Sequence, residues 1–425
     1  MRSILGLSAR EGLSCLASRR PELASSRLKQ RGSAANAQKS NHSQGCVDPQ
    51  KNLVDTHLGA SLMGLSRKHF ALGTLALLAS ACATLADAAS GGDHLPNAGA
   101  GPFRALKAEE VGNLRSAPNV LVDDQVFPRD GTVLDADGDL GTPEIFGYFA
   151  VTPRVPMTEP DPKAPPRAIV RVDALDGRSF ERDYVTVLEV QEPWEGASLG
   201  APAAIRGGGE VFLYYTAAGG VGLARSTDGK TFTRESGPVL APVSGTWEGG
   251  AVPANPGVVQ LDDGSFRMFY DVTDAGGVRR IGEASSTDGL SWMRVGDAPT
   301  LEPRVDTNPD DPLYDGDSVG APYPVLGKSS EGRSVLRVYY EAQDALDRRA
   351  IGLAARYDPV AGAFERAVGP VFSGSFGPGQ PCVLVCQGYS LLLVTQLEGR
   401  SKSEQIPAVA AGISPADAVL PPRTK

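Results

Sequence analysis

Histidine is scarce in this 425-residue chain, and every copy lies before residue 100. The four copies are His42, His57, His69 and His94. The rest of the chain therefore cannot hold a Ser-His-Asp triad, a Cys-His nucleophile pair or a histidine-ligated zinc or iron site. Proton transfer there must rely on other side chains, and carboxylates are the most plentiful candidates.

Cysteine is also rare, with five copies, and long amphipathic helical patterns are missing. Cys382 and Cys386 lie four residues apart in an apolar run that reads as one strand, which would separate their Cα atoms by about 13 Å. A disulfide needs less than about 7 Å, so we expect two buried free thiols. The 50 glycines and 33 prolines that interrupt short apolar runs favour a β-rich fold with many turns.

The first hundred residues do not read as part of a fold. Residues 1–62 are polar and basic, with nine Lys and Arg against four Asp and Glu, and we predict a mis-called or disordered extension; an organellar transit peptide is the alternative. Residues 63–82 have a basic start and an apolar stretch too short to span a bilayer, which is typical of a secretory signal. The end of this segment resembles a bacterial lipobox, which implies lipidation of Cys82 and a lipid-anchored location in the cell envelope; cleavage near Ala88 is the alternative.

Residues 83–110 are rich in Ala, Gly and polar residues and are predicted to form a flexible tether before a folded domain at 111–425. From residue 83 onward the chain carries 30 Lys and Arg against 46 Asp and Glu. This excess of negative charge argues against nucleic acid or an anionic membrane surface as a partner. We expect a monomer.

One short phrase recurs four times in the folded region. It reads LDGRSF, STDGKTF, STDGLSW and PVAGAF, and its aromatic residue is Phe180, Phe232, Trp292 and Phe364 in turn. The intervals between copies are 52, 60 and 72 residues. Because Asp-Gly is a hairpin-turn dipeptide, each copy predicts a strand, a tight turn and a second strand.

A second block precedes each phrase, with a glycine and proline entry, an apolar run and an aromatic run, as in GAPAAIRGGGEVFLYYT. The two blocks together make five units of four strands between about residues 115 and 422, the pattern of a propeller. The sequence therefore predicts an all-β fold, a five-bladed β-propeller of four-stranded antiparallel blades. We expect the recurring aromatic residue to pack between blades rather than to contact a ligand.

These blocks resemble the five-bladed propeller glycosidases, the superfamily of arabinanases, furanosidases and invertases in families 43, 32 and relatives. The resemblance implies three carboxylates at the mouth of the central funnel and a glycoside hydrolase-like protein that acts on or binds saccharides there. The NDPNG, RDP and ECP motifs of the invertase group do not occur. A non-catalytic glycan-binding or scaffolding lipoprotein is therefore the alternative.

Strand register selects two sets of polar residues at one rim of the funnel, because the second strand of a blade runs back to the level at which the first begins. The starts of first strands hold Asp137, Asp139, Glu195, Glu248, Asp315 and Asp317, and the ends of second strands hold Thr216, Asp271, Glu341 and Gln396. Glycoside hydrolysis needs one protonated acid and one ionised base or nucleophile. The preferred catalytic residues are Asp139, Glu248 and Asp317, with Asp271 and Glu341 in reserve. Saccharide contacts are predicted for Trp194, Glu195, Trp247 and Tyr323.

Two acidic loops leave a calcium site open as the possible cofactor, and we expect no other. The first is DADGDLG, in which Leu140 and Phe146 occupy the places where an EF-hand needs Gly and Glu. That loop is therefore not an EF-hand, and only a calcium site of another kind could form there. The same holds for NPDDPLYDGD at 308–317.

Overall fold

The computed structural model describes residues 100–111, 119–121, 126–136, 145–153, 165–174, 177–178, 180, 184–305, 312–329, 331–374, 377–398, 406–418 and 420. All of these belong to the larger of the two units of the chain, residues 66–425. The predicted extension, the signal segment with Cys82 and tether residues 83–99 lie outside the described residues. Lipid anchoring and an envelope location therefore stay predictions. No helix in the described ranges has the length and apolarity needed to cross a membrane.

The strands form five antiparallel sheets that follow one another along the chain, which confirms the predicted five-bladed propeller. Blade 1 holds β3 (Val126–Asp135), β4 (Ile145–Pro153), β5 (Ala168–Ala174) and β6 (Val185–Glu189); blade 2 holds β7 (Gly200–Gly207), β8 (Glu210–Ala217), β9 (Gly220–Ser226) and β10 (Thr233–Arg234); blade 3 holds β11 (Ala254–Gln260), β12 (Phe266–Thr273), β13 (Arg279–Ser286) and β14 (Met293–Arg294); blade 4 holds β15 (Ser318–Lys328), β16 (Ser334–Gln343), β17 (Arg349–Arg356), β18 (Glu365–Arg366) and β19 (Phe372–Ser373); blade 5 holds β20 (Gly379–Cys386), β21 (Tyr389–Glu398), β22 (Ile406–Ser414), β1 (Arg104–Ala105) and β2 (Asn119–Leu121).

The first strand of each blade is the innermost one. Strands β3, β7, β11, β15 and β20 each contact the next in this order, and β20 contacts β3, which closes the ring around the central axis. The short helices Ala108–Val111 and Pro193–Glu195 are the only ones in the described part of the chain. The inner strands begin at one end of the ring, here called the rim.

The first blade begins earlier than the repeat indicates. The block GDLGTPEIFGYFAVT aligns with the first strands of later blades, yet its apolar run is β4, the second strand. The true inner strand is β3, with the sequence VFPRDGTVLD. Its charged residues Arg129 and Asp130 interrupt the apolar pattern by which the other inner strands are recognised. The predicted catalytic residue Asp139 therefore follows the first strand instead of preceding it, and it lies outside the described residues.

The amino-terminal end of the described chain belongs to the last blade. Strand β1 pairs with β22, so that Arg104 lies opposite Ile413. Phe103 and Leu106 are buried, and the Phe103 amide donates to the carbonyl of Val371. Residues 100–106, which we expected within the flexible tether, are thus part of the fold, because their apolar side chains cover an otherwise open edge of blade 5.

The recurring aromatic residues pack between blades, as predicted, in three of the four copies. The aromatic pairs across blade boundaries are Tyr148–Phe232, Tyr214–Trp292 and Phe269–Phe364, with ring centroids 5.9, 5.8 and 5.8 Å apart and nearly perpendicular planes. The fourth, Phe180, contacts Phe149 of its own blade. Such edge-to-face pairs add to the stabilisation that burial itself supplies. The repeated phrase is therefore a structural element.

The Ser-x-Asp-Gly part of the phrase shapes the outer hairpin. The Asp228 carboxylate accepts from the backbone amides of Lys230 and Thr231 at 2.8 and 2.7 Å, and Gly229 takes the left-handed conformation that the turn needs. The Gly229 carbonyl then accepts from the Tyr148 hydroxyl of the preceding blade at 2.9 Å. Cys382 and Cys386 both lie on β20, buried and unbridged, as expected.

Candidate functional site

Three of the acids that precede first strands are buried in interactions within their own blades. Glu195, Glu248 and Asp315 each accept a hydrogen bond from a tyrosine of the second strand and form a salt bridge with an arginine of the fourth strand. The three sets, here called the blade locks, are Glu195–Tyr215–Arg234, Glu248–Tyr270–Arg294 and Asp315–Tyr340–Arg366. The acids are at most 2 % exposed. These carboxylates therefore tie the first, second and fourth strands together.

Alternation along the second strand separates the locks from the rim. Each lock tyrosine is followed directly by a polar residue at the rim, as in Tyr270–Asp271 and Tyr340–Glu341. Neighbouring side chains of a strand point to opposite faces. The acids at the ends of second strands therefore face away from the locks, and these are the acids that meet at the funnel.

Each inner strand has a β-bulge at the rim, and four of the bulges contain a residue in the left-handed backbone region. These residues are Ala201, Asn255, Ala321 and Gln380, with φ between 41° and 50°. Their amides donate to side chains of the preceding blade: to Asp130 at 3.2 Å, Thr216 at 2.7 Å, Asp271 at 2.7 Å and Glu341 at 3.2 Å. The rim residues of one blade thus hold the bulge of the next.

Asp130 takes a place that no other blade fills with an acid. It lies in the bulge of β3, where the bulges of the other four inner strands have a proline. At the rim register the second strand of its blade has Val151, whose side chain cannot accept a hydrogen bond. The Asp130 carboxylate accepts from the Ala201 amide instead.

Arg279 joins two of the rim acids. Its guanidinium lies 2.8 Å from Asp271 Oδ2 and 2.8 Å from Glu341 Oε1, in two different blades. Asp271 also accepts from the Asn255 side-chain amide at 2.9 Å. The side-chain oxygen of Asn255, Oδ1, accepts in turn from the Gln380 side chain at 3.1 Å. Blades 3, 4 and 5 are therefore linked at the rim by a continuous polar network.

A cavity of about 450 Å³ opens at this rim. It is lined by Arg129, Asp130, Arg279, Glu341, Asp347, Arg349, Gly377, Gly379, Gln380, Thr395 and Gln396. Asp271 is 2 % exposed and lies behind Arg279, outside the lining. The cavity is the size of a small-ligand site and brings together carboxyl, guanidinium, amide and hydroxyl groups.

The carboxyls at the cavity differ in their surroundings. Burial is the main cause that raises the pKa of Asp130, and the nearby Glu341 charge adds to it, while the Ala201 amide and Arg129 oppose the shift. Burial lowers the pKa of Arg279, but the carboxylates of Asp271 and Glu341 outweigh this and raise it above the ordinary value. The pKa of Asp130 is therefore raised above the ordinary aspartate value, whereas Glu341 is held in an ion pair.

The predicted site residues separate into three groups. Asp271 and Glu341 meet at the rim, while Glu195 and Glu248 are engaged in blade locks. Asp317 is exposed at the start of β15 and does not line the cavity.

None of the predicted aromatic contacts lines the cavity. Trp194 stacks on Tyr215 with ring centroids 6.1 Å apart, and Trp247 packs against the core that blades 2 and 3 share. Tyr323 packs against the core between blades 4, 5 and 1, and burial raises its pKa well above the usual range. A saccharide contact of these residues stays a prediction.

Within the described ranges no group of three or more metal-ligating side chains occurs. Both loops for which calcium was considered lie partly outside those ranges, at 137–144 and 306–311. Calcium therefore stays a prediction from the acidic loops alone.

Sequence reasoning missed Asp130, and one signal could have found it. The rim segments GAP, ANP, GAP and GQP of the later blades align by strand register with PRD at 128–130. Four blades have a proline at the last position of this segment, whereas blade 1 has an acid. This difference marks a departure from the repeat at the funnel mouth. The same register places Thr395, rather than Gln396, in line with Thr216, Asp271 and Glu341.

No known family model matches the sequence, and no curated protein matches it significantly. Solved structures do match. A thermostable family-43 glycoside hydrolase covers 72 % of this chain and 99 % of its own length at 15 % identity, with a TM-score of 0.51. A family 117 glycoside hydrolase produced by the marine bacterium Zobellia galactanivorans covers 73 % and 90 % at 14 % identity, with a TM-score of 0.50. An endo-arabinase from Bacteroides thetaiotaomicron covers 72 % and 99 % at 14 % identity, with a TM-score of 0.48.

The chain shares its fold with the family-43 and family 117 glycoside hydrolases. At this level of identity the likeness concerns the architecture, and the predicted resemblance to arabinanase-like five-bladed propellers is confirmed in that respect. What the rim cavity does must be argued from its own residues.

Proposed function

We propose that the rim cavity binds a saccharide and that the protein hydrolyses a glycosidic bond there. One observation carries the proposal: Asp130 and Glu341, carboxyls from two different blades, line a single cavity in two different electrostatic environments. A glycosidase needs such a pair, one carboxyl that holds a proton and one that carries a charge. The fold shared with glycoside hydrolases supports the proposal as an analogy.

In this scheme Asp130 is the proton donor and Glu341 the ionised partner. The Asp130 carboxyl gives its proton to the glycosidic oxygen as the bond to the anomeric carbon breaks. Glu341 either removes a proton from the attacking water or bonds to the anomeric carbon first, and the separation of the two carboxyls in the substrate complex decides between these routes. Arg279 orients Glu341, and Asp271 holds Arg279 from behind.

The test is hydrolysis of a panel of nitrophenyl glycosides and polysaccharides by the wild type and four variants. Asp130→Asn and Glu341→Gln are expected to lose activity by about 100-fold or more, since general acid-base catalysis contributes factors of that size. Asp317→Asn, an exposed acid at the same end of the strands, is the matched control and should keep its activity. Asp139→Asn tests the residue that the repeat favoured. Full activity in both Asp130→Asn and Glu341→Gln would refute the scheme.

A non-catalytic glycan-binding protein is the second candidate. Arg279 forms an ion pair with both Asp271 and Glu341 at 2.8 Å, and an ion-paired carboxylate is a weaker base or nucleophile than a free one. In that case no substrate of the panel is turned over. A saccharide would still raise the melting temperature, and Asp130→Asn would leave that rise in place.

A further inference from the structure

Blades 3 and 4 each place an arginine at the same position of the third strand. Arg279 begins β13 and Arg349 begins β17. Each lies two residues before the one that pairs with the rim carboxylate of its own blade. The two arginines are therefore equivalent members of the repeat, and their surroundings can be compared directly.

The two arginines differ in the number of carboxylates they meet. Arg279 lies between Asp271 of its own blade and Glu341 of the next, each at 2.8 Å. The Arg349 guanidinium is 3.7 Å from Glu341, its own-blade carboxylate, which already accepts from Arg279. In the next blade the same register position is Thr395, which carries no charge. Arg349 thus shares one carboxylate where Arg279 has two.

The place of the missing carboxylate is next to the cavity. The Arg349 side chain is 49 % exposed, against 21 % for Arg279, and it lines the cavity together with Gln380, Thr395 and Gln396. An exposed guanidinium can bind a carboxylate through two parallel N–H···O hydrogen bonds.

We infer that the cavity binds an anionic group of its ligand at Arg349, and that the ligand is an acidic saccharide whose carboxylate takes the place that Glu341, the carboxylate of the next blade, takes beside Arg279. The identification of the ligand as a saccharide rests on the proposed function. The anionic character rests on the comparison of the two arginines alone.

Two other carboxyls line the cavity and do not occupy this place. The Asp347 carboxylate accepts from the Gln343 side chain at 2.9 Å, and burial favours the neutral form of Asp130. In the described ranges neither forms a salt bridge with Arg349, whose ion pair there is the 3.7 Å contact with Glu341. The anionic group of the ligand would be the second carboxylate partner of Arg349, which blade 5 does not supply because Thr395 stands in its place.

The experiment measures binding to the full chain by calorimetry at low salt. The probes are glucuronate, galacturonate and their oligomers, with glucose, galactose and neutral oligomers of matched length beside them. We expect an acidic probe to bind at least ten times more tightly than its neutral counterpart. Arg349→Met should remove that difference. Arg333→Met, at a surface ion pair in the β15–β16 hairpin at the opposite end of the strands, is the matched control and should keep it.

Thr395→Glu provides an independent variant. It places a carboxylate of the chain itself at the rim position of blade 5, where it can pair with Arg349. We expect the melting temperature to rise and the binding of acidic probes to fall at least tenfold. This variant keeps Arg349, so its effect cannot come from the loss of that side chain.

The outcomes separate this inference from the proposed function. Equal binding of acidic and neutral saccharides in the wild type and in Arg349→Met overturns the anion site and leaves the saccharide proposal standing. Binding of inorganic phosphate or sulfate at Arg349 without any uronate binding overturns the acidic saccharide. Failure of every saccharide, acidic or neutral, overturns both proposals.

Discussion

The Asp130 carboxyl and the Arg279 guanidinium lie at the same rim but in different electrostatic surroundings. Arg279 has two carboxylates within 2.8 Å, so its charge is compensated inside the protein. The Asp130 carboxyl accepts from a backbone amide at 3.2 Å, and the loss of water on burial is the dominant influence on its pKa. The site thus contains one carboxyl that resists ionisation next to one that an arginine holds.

The raised pKa of Asp130 has a consequence for stability. Ionising this carboxyl costs more in the folded than in the unfolded state. Its contribution to the free energy of unfolding is therefore present below the ordinary aspartate pKa of about 4 and is lost as pH rises through the raised folded pKa. We expect Asp130→Asn to be more stable than the wild type at pH 7, with the difference vanishing as the pH falls toward 4.

Urea unfolding between pH 4 and pH 8 measures this difference. Asp317→Asn is the control, because Asp317 is exposed and removal of its charge should give no gain at neutral pH. A stability gap between Asp130→Asn and the wild type that stays the same at every pH would contradict the prediction.

At the scale of the strand, one alternation assigns two roles. A tyrosine of the second strand points into the blade lock, and the next residue points to the funnel rim, as Tyr270 and Asp271 do. The lock joins strands that are only weakly connected otherwise, since the fourth strands β10, β14 and β18 contain two residues each. Arg234, Arg294 and Arg366 bring these short strands to the blade through a buried carboxylate.

Glu248→Gln tests the lock in blade 3. Glu248 is 2 % exposed and accepts from Tyr270 and Arg294, so the loss of its charge leaves Arg294 without its counter-ion. We expect the free energy of unfolding to fall by about 3 kcal/mol. Chemical denaturation measures it. The control is Asp262→Asn, which removes a surface ion pair between Asp262 of blade 3 and Lys328 of blade 4 and should cost less than about 1 kcal/mol.

Glu248 was also a predicted catalytic residue, so the same variant has a second readout. A structural role predicts unchanged binding of saccharide by the folded protein. Loss of turnover at unchanged stability would instead return Glu248 to the catalytic residues.

At the scale of the whole molecule, the ring closes through the amino-terminal end of the described chain. Strand β1 pairs with β22, which lies more than 300 residues later. Phe103 packs against Tyr339 with ring centroids 6.0 Å apart, and the Tyr339 hydroxyl donates to the carbonyl of Ala100 at 2.9 Å. Blade 5 is thus fastened to blade 4 by residues that precede blade 1 in the sequence.

Phe103→Ala tests this closure. Because the ring of Phe103 is buried in the core of blades 4 and 5, its removal should lower the free energy of unfolding by about 3 kcal/mol or more. Lys107→Ala, at an exposed position just beyond β1, is the control and should change it by less than about 0.5 kcal/mol. Denaturant unfolding compares the two. Equal stability of Phe103→Ala and the wild type would mean that residues 100–106 do not close the ring.

The class of fold, the number of blades and the structural role of the repeated hairpin could be predicted from the sequence. These follow from local chemistry: Asp-Gly turns, short alternating runs and an aromatic residue at a recurring position act within a few residues of one another. The second-strand acids Asp271 and Glu341 could be placed at the rim for the same reason. Their position depends on the alternation of a strand whose ends the pattern marks.

Which acids face the cavity depends on how the blades assemble. A shift of one residue moves a side chain to the other face of a strand, and the repeat could not set the register of β3 or β21. Asp130 and Thr395 were therefore missed, while Glu195 and Glu248 belong to locks whose partners lie 20 to 46 residues away on other strands of the same blade. The bridge that Arg279 makes between two blades, and the closure by β1, depend on contacts over 62 to more than 300 residues. No local pattern encodes such contacts, because they exist only once the blades have assembled.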